Sequence, residues 1–270
     1  MDSLIFLYKT VPGRICLKLL ALRPVSKICG VFLDSRISSF LIKGFVRKNK
    51  INLDEYQTEG IKTFNEFFRR KIKDGRRNFD MGSSHLCAPC DGLLSAWTIK
   101  ENKVIPVKQS LYTILSLLKN EELAAEYNNG LCLVFRLCVD NYHRYCYADS
   151  GAKSKNIFIP GKLHTVRPIA LETIPVFTEN CREYTTIESP SFGKIVQMEV
   201  GAMLVGRIVN IEEEVFAERG KEKGFFEYGG STIILLLKEN SVLINQEIIQ
   251  NSQNGIETPV KMGEMIGVKK

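Results

Sequence analysis

The chain has 270 residues, which is enough for one large domain or two small ones. Its 44% content of hydrophobic residues can fill a sizeable core and excludes global disorder. The charge is uneven, because residues 1–50 hold ten Lys or Arg and two Asp or Glu, a net charge of +8, while the remainder carries −1.

The basic segment, residues 1–50, predicts helices broken near Pro12-Gly13 and Pro24. Basic residues interrupt its large apolar residues every few positions, so no run approaches the roughly 18–20 apolar residues of a membrane span. This mixture is typical of helices that lie in the interface of an anionic membrane. The alternative is a helical cap packed on the body of the protein. Nucleic acid is not predicted as a partner, because stacking aromatics are not interleaved with the basic residues.

The next predicted element is a helix over residues 63–75, "TFNEFFRRKIKDG". Thr63 and Glu66 have the spacing of a capping box, and Gly75 is a candidate C-cap. Three phenylalanines and Ile72 fall on one helical face.

After about residue 85 the pattern changes to short β-like runs separated by Gly, Pro, Asn or Asp. A helical interruption is predicted from Ser110 to the Asn-Asn-Gly at residues 128–130. The predicted fold class is α+β: a mostly antiparallel β catalytic body with an N-terminal helical, membrane-associating region. The predicted division is 1–75 for the helical region and 76–270 for the β-rich domain.

The eight cysteines are predicted to be free thiols in a reducing compartment. The start "MDSLIFLYKT" carries an acid where a secretory signal needs basic residues. Cys87 and Cys90 form one C-x-x-C pair without a second pair at finger spacing, so no metal site is predicted. Together with the basic segment, the free thiols and the lack of a secretory signal pattern predict a peripheral protein on the cytoplasmic side of the cell membrane.

Few residues are candidates for catalysis. His143 and His164 lie in consecutive β-like runs, and Asp91 follows a Pro-Cys pair at the start of another. Ser231 follows Gly229-Gly230 at the start of a buried-strand pattern. Each has an ordinary structural explanation, such as a turn aspartate or a buried neutral imidazole. In the functional interpretation, a carboxylate orients an imidazole that takes the proton of the Ser231 hydroxyl.

Five segments in order resemble the phosphatidylserine decarboxylase family: "TFNEFFRRKIKDGRRNFD", "LCAPCDGLLSAW", "DNYHRYCYADSG", "VGAMLVGRIV" and "KGFFEYGGSTIILLL". They span residues 63 to 237, and the Gly-Ser-Thr element is the most specific. The resemblance implies a proenzyme that cleaves itself between Gly230 and Ser231. Ser231 then becomes a covalent pyruvoyl group, the cofactor, which forms a Schiff base with phosphatidylserine and acts as the electron sink for decarboxylation to phosphatidylethanolamine. It also implies that the large and small chains stay associated; a homodimer is left open.

One position departs from the family's pattern. Members commonly have His-Arg-x-His, whose second histidine assists cleavage, whereas this chain has Cys146 there. The base for maturation is therefore open between His164, His143 and Cys146. We expect His164 to serve maturation, with Asp91 holding its ring, and His143 to serve decarboxylation.

Two other function classes compete with this interpretation. One is a non-catalytic β-rich protein that binds anionic membranes through residues 1–50. The other is a serine lipid hydrolase with Ser231 as nucleophile, although the chain lacks the G-x-S-x-G elbow there. A cysteine hydrolase based on Cys146 and His143 is disfavoured, because positions three apart on a strand point to opposite faces.

Overall fold

The computed structural model of the chain describes residues 3–100, 104–107, 110–202, 207–229 and 231–270. It has the predicted α+β class, with helices at the N-terminus and antiparallel sheets after them. The division between residues 75 and 76 stays a prediction.

Four helices form the N-terminal region: α1 Ser3–Lys9, α2 Val11–Leu20, α3 Arg23–Leu33 and α4 Phe40–Asn49. Short 3₁₀ turns cover Arg36–Ser39 and Leu53–Glu55. The predicted breaks are confirmed, and they fall just before the prolines, which occupy the first turns of α2 and α3 as a residue without an N–H donor prefers. Thr10 caps α2 by accepting a hydrogen bond from the Gly13 N–H at 3.1 Å.

The helix predicted over residues 63–75 is much shorter. Its capping box is confirmed, because Thr63 and Glu66 each accept the other's backbone N–H, but α5 spans only Phe64–Phe68. Arg70 is buried, with its guanidinium 4.1 Å from the centre of the Tyr56 ring. After Arg70 the backbone becomes extended. Strand β2, Lys71–Ile72, then pairs with β1, Tyr56–Gln57. Tertiary packing thus ends the helix two turns early.

The body is built on an antiparallel sheet of nine strands among the described residues. Their order in space is β14 Phe216–Ala217, β9 Gly151–Lys153, β11 Arg182–Ser189, β12 Gly193–Val200, β16 Ser231–Leu237, β7 Leu131–Leu137, β4 Gly92–Thr98 and β18 Thr258–Val260, with β10 Ile157–Ile159 also on β11. All seven residues of β16 are buried, as the apolar run predicts. The core of the protein lies on this central strand and its neighbours.

Smaller sheets flank the main one. One contains β13 Ile208–Asn210, β15 Glu222–Phe226 and β8 Arg144–Cys146. Another contains β17 Val242–Ile244, β19 Met265–Lys269 and β3 His85–Cys87. In a third, β5 Val104–Val107 pairs antiparallel with β6 Ser110–Thr113. The remaining helices are α6 Ile114–Leu118, α7 Glu121–Ala125, α8 Pro168–Leu171, α9 Val176–Glu179 and α10 Gln246–Gln253. The helix expected from Ser110 is therefore wrong in its first residues, which are extended up to the Thr113 cap of α6.

A buried ion pair joins the main sheet to the sheet of β13, β15 and β8. The Lys223 Nζ of β15 lies 2.7 Å from the Glu199 Oε2 of β12, and both side chains are fully buried. Asn210 supports the pair, because its Oδ1 accepts from Lys223 Nζ at 2.7 Å and its amide donates to Glu199 at 3.3 Å. Breaking a buried pair leaves an uncompensated charge, which costs far more than breaking an exposed one.

We expect Lys223→Met to lower the free energy of unfolding by about 3–5 kcal/mol, since Glu199 is then buried without its cation. Adding Glu199→Leu should restore part of the loss. Urea denaturation in the Ser231→Ala background measures this on one unbroken chain. The matched control is Lys162→Met: Lys162 pairs with Glu179 at 3.0 Å but is 61% exposed, so its loss should cost under about 1 kcal/mol. Equal losses for the two variants would contradict the assignment.

Candidate active site

Ser231 is the first residue of the central strand β16. It pairs with Leu137, the last residue of β7, so the start of one strand lies beside the end of the other. The side chain is fully buried. Ser231 is thus held at the start of the central strand, beside the turn that follows β7.

His143 lies in that turn, just before β8. The Asn141 side chain closes the turn by accepting from the Cys138 N–H at 2.7 Å, and the Asn141 N–H donates to the Cys138 carbonyl at 3.0 Å. The turn brings the His143 Nδ1 to 3.3 Å from the Ser231 Oγ. The structure therefore joins two of the four predicted site residues in one buried contact.

The other ring nitrogen fixes the tautomer of His143. Its Nε2 lies 2.9 Å from the carbonyl oxygen of Cys138, which can only accept, so Nε2 carries the proton and Nδ1 is left as an acceptor. Burial, together with the nearby Arg70 cation, lowers the pKa of His143 to about 3. The imidazole is therefore neutral at physiological pH, with its lone pair on the Ser231 hydroxyl.

An aromatic cluster encloses this contact. The ring of Phe68 lies 4.1 Å from that of His143, centre to centre, and packs against Tyr228 at 5.1 Å. Gly229 has a φ of +132°, a conformation that residues with a Cβ rarely adopt. Gly230, the predicted cleavage partner, lies outside the described residues.

Asp91 is paired with an arginine in the described part of the chain. Its carboxylate binds Arg77 through two hydrogen bonds, of 3.0 and 2.6 Å, and accepts the Met262 N–H at 2.9 Å. The expectation that Asp91 orients the ring of His164 is therefore wrong in its geometry. The Cys138 carbonyl fixes the tautomer of His143 instead, and sequence reasoning could not find it because a backbone atom carries no residue signature.

The contacts of His164 are with Asn180 and Tyr8. Its backbone exchanges two hydrogen bonds with the Asn180 side chain, at 2.9 and 2.7 Å, and its ring stands edge-on to Tyr8. Among the described residues no hydrogen bond joins it to Ser231, and its Nδ1 has no partner. The β-like run that contains His164 is not a strand in the described part of the chain, where its one bridge joins Lys162 to Asn180.

Cys146 is poorly suited to replace a histidine. Its thiol is fully buried and donates to the Pro89 carbonyl at 3.3 Å. Burial raises its pKa far above the ordinary thiol value, so little thiolate exists near neutrality. Cys87 and Cys90 are likewise buried and free.

The sequence profile described as phosphatidylserine decarboxylase matches residues 64–268. The chain belongs to the phosphatidylserine decarboxylase family. It is 45% identical over 263 residues to phosphatidylserine decarboxylase proenzyme 2 of Clostridium acetobutylicum, covering 97% of this chain and 90% of the relative. It is 44% identical over 269 residues to the phosphatidylserine decarboxylase proenzyme of Ruminiclostridium cellulolyticum, covering 97% and 89%. The predicted resemblance is confirmed, and family membership makes the chain a decarboxylase.

The geometry of this decarboxylase favours His143 over His164 as the base for maturation, the reverse of our sequence-based assignment. We expect His143→Ala to slow the cleavage before Ser231 by about 100-fold or more, because the hydroxyl proton loses its acceptor. His164→Ala is the matched control, since it removes another buried imidazole. A gel time course after synthesis measures both. If His164→Ala stays full length while His143→Ala cleaves, the sequence-based roles stand.

Proposed function

We propose that the chain is a self-processing, pyruvoyl-dependent enzyme that converts phosphatidylserine to phosphatidylethanolamine. The observation that carries the proposal is the buried contact of 3.3 Å between the Ser231 Oγ and the acceptor nitrogen of His143, directly after a glycine pair. A buried serine that begins a strand suits attack on its own preceding peptide bond. A lipid hydrolase is disfavoured, because Ser231 begins a strand and lacks the G-x-S-x-G turn that presents such a nucleophile.

Maturation begins with transfer of the Ser231 hydroxyl proton to the His143 Nδ1. The Oγ attacks the carbonyl carbon of Gly230, and the peptide bond gives way to an ester. Loss of the Ser231 α-proton then breaks the ester bond, which leaves a carboxylate on Gly230 and a dehydroalanine at position 231. Addition of water and release of ammonia leave a keto group at the new N-terminus. These steps add one water, release one ammonia and need no oxidant.

A pyruvoyl group fits the residues present at position 231. It keeps the three carbons of the serine, so it needs no more room than the buried side chain already has. When bound there, it supplies an electron sink for the loss of carbon dioxide. His143 contributes a neutral nitrogen that can take up or return a proton at this position, and the Phe68 ring over the imidazole keeps water away.

The two chains of the cleaved protein would stay together. The small chain would begin with β16, which pairs with β12 on one side and β7 on the other. Its buried residues could not leave without opening the core.

We expect the purified protein to consist of residues 1–230 and 231–270, the small chain having a keto N-terminus. That terminus should react with phenylhydrazine and resist Edman sequencing. Release of labelled carbon dioxide from carboxyl-labelled phosphatidylserine reports the activity. The control is Ser231→Ala, which should remain one chain and release none. Decarboxylation by an uncleaved chain would overturn the mechanism.

The protein is also proposed to bind as a peripheral protein to the cytoplasmic side of the cell membrane. Ten of the twenty exposed large apolar side chains among the described residues lie between Ile5 and Phe40. Leu17 and Leu33 face inward, so α2 and α3 carry an apolar face toward the body and another toward solvent. No helix in the described ranges is long and apolar enough to span a bilayer. Basic residues between the exposed apolar ones suit an anionic interface.

Ile15→Gln with Leu19→Gln should weaken binding to phosphatidylglycerol vesicles by at least about tenfold, because each side chain is 61% exposed and would lose its burial in lipid. Ile256→Gln with Leu243→Gln, at 55% and 52% exposure, is the matched control. Co-sedimentation at rising salt tests the electrostatic part. Binding to neutral vesicles that equals binding to anionic ones at every salt concentration would contradict it.

A further inference from the structure

An apolar groove of about 420 Å³ lies between α4 and the segment that leads to Ser231. The buried side chains of Leu33 and Phe64 line it, together with Phe45 of α4 and Tyr228. Tyr228 precedes Ser231 by three residues. No step of the proposed cleavage uses this groove.

A glycine in the middle of α4 leaves the groove open. Gly44 lies one turn after Phe40 and one turn before Lys48, and all three residues line the groove. Apart from its chain neighbours and its own helix backbone, no atom of the described residues lies within 4 Å of the position that a Cβ of Gly44 would take. Glycine inside a helix is less favourable than alanine, and here no close approach of another element requires it. The missing side chain therefore provides space and not a contact.

Ring contacts connect the groove to the contact of Ser231 with His143. The Tyr228 ring lies 5.1 Å from that of Phe68, centre to centre, and the Phe68 ring lies 4.1 Å from that of His143. The His143 Nδ1 lies 3.3 Å from the Ser231 Oγ. A single ring, that of Phe68, thus stands between the lining of the groove and the imidazole.

The groove also meets the surface that is proposed to face the membrane. Phe40, which lines the groove, is 66% exposed, and Ile37, three residues earlier, is 72% exposed. Gly44 and Lys48 are exposed as well, and the Lys48 cation suits an anionic interface. An acyl chain would therefore pass from a bilayer into the groove over an apolar surface.

The chemistry of the lining suits hydrocarbon. Apart from the Lys48 ammonium and the Tyr228 hydroxyl, the side chains that line the groove are hydrocarbon, so a head group there would lose its hydration without replacement. An acyl chain would instead gain free energy by leaving water. In phosphatidylserine, the phosphate and glycerol separate the acyl chains from the amine, which the proposed function places at position 231. A chain-binding groove is therefore expected near Ser231 and not in contact with it.

We propose that this groove binds an acyl chain of the phospholipid substrate and that the space left by Gly44 determines which chains fit. This inference rests on the proposed function, because it names where one part of that substrate lies. It makes Gly44 a specificity-determining residue on α4, outside the contact of Ser231 with His143.

The test compares dihexanoyl with dioctanoyl phosphatidylserine, both kept below their critical micelle concentrations, and measures kcat/KM by carbon dioxide release. We expect the wild type to prefer the longer substrate about tenfold, because about two more methylene groups of one chain are buried in the groove. Gly44→Leu should lower this preference to about twofold or less, since its side chain occupies the groove. Both substrates are measured on the same preparation, so a partial loss of folding or maturation cancels in the ratio.

The matched control is Gly30→Leu. Gly30 is also a helical glycine whose Cβ would have no such neighbour within 4 Å, but it does not line the groove. Its variant should keep the preference of the wild type. An unchanged preference in Gly44→Leu would overturn the inference, and so would an equal loss in Gly30→Leu. If the preference stays but co-sedimentation with vesicles weakens in Gly44→Leu, the groove binds a bilayer lipid other than the substrate, and the inference is also overturned.

Binding to the full-length Ser231→Ala protein separates this inference from the proposed function. Calorimetry measures the dissociation constant of dioctanoyl phosphatidylethanolamine, with and without Gly44→Leu. If the wild type releases no carbon dioxide but Gly44→Leu weakens this binding, the proposed function fails and the groove stands as a site for an acyl chain. If the wild type is active but Gly44→Leu changes neither the preference nor the binding, the groove fails alone.

Discussion

The carbonyl oxygen of Cys138 determines what His143 can do for Ser231. It holds the proton on Nε2, and a neutral ring with its lone pair toward the hydroxyl follows from that one hydrogen bond. Burial reinforces the arrangement, because the charged form of the ring has no water around it and has Arg70 nearby. A turn closed by Asn141 is therefore as much a part of the site as the imidazole.

Rigid support surrounds this small contact. The pairing of β16 with β7 fixes Ser231, and the buried pair of Lys223 and Glu199 ties the sheet that carries β8 to the main sheet. Lys223 lies eight residues before Ser231, in the run that leads to it. A charge buried there gains little stability over an apolar residue, but it tolerates few alternative packings of the two sheets.

Local patterns in the sequence predicted much of the fold. The capping box of Thr63 and Glu66, the apolar run of β16 and the proline breaks near the N-terminus are all set by nearest neighbours, and each was found. The early end of α5 was not, because it depends on Arg70 meeting the Tyr56 ring fourteen residues away. The segment of His164 looked like a strand but lies among loops, where its contacts come from Asn180.

The candidate site was predictable in its residue types more than in its pairings. The Gly-Gly-Ser-Thr run pointed to Ser231, but the sequence offered both His143 and His164 as its base and favoured His164. The partner of Asp91 was missed because Arg77 has no pattern of its own and meets Asp91 only in the folded chain. A backbone acceptor such as the Cys138 carbonyl could not be predicted, because every residue type has the same carbonyl group.

The central place of β16 implies that folding would have to precede the proposed cleavage. Its seven residues are buried between β12 and β7. The chain would therefore have to fold while it is intact in order to place β16 there. After cleavage, refolding would require the two chains to associate in solution, because the 40-residue small chain would have to insert β16 between β12 and β7 again. The mature protein would then be kinetically stable, and its thermal unfolding would be irreversible.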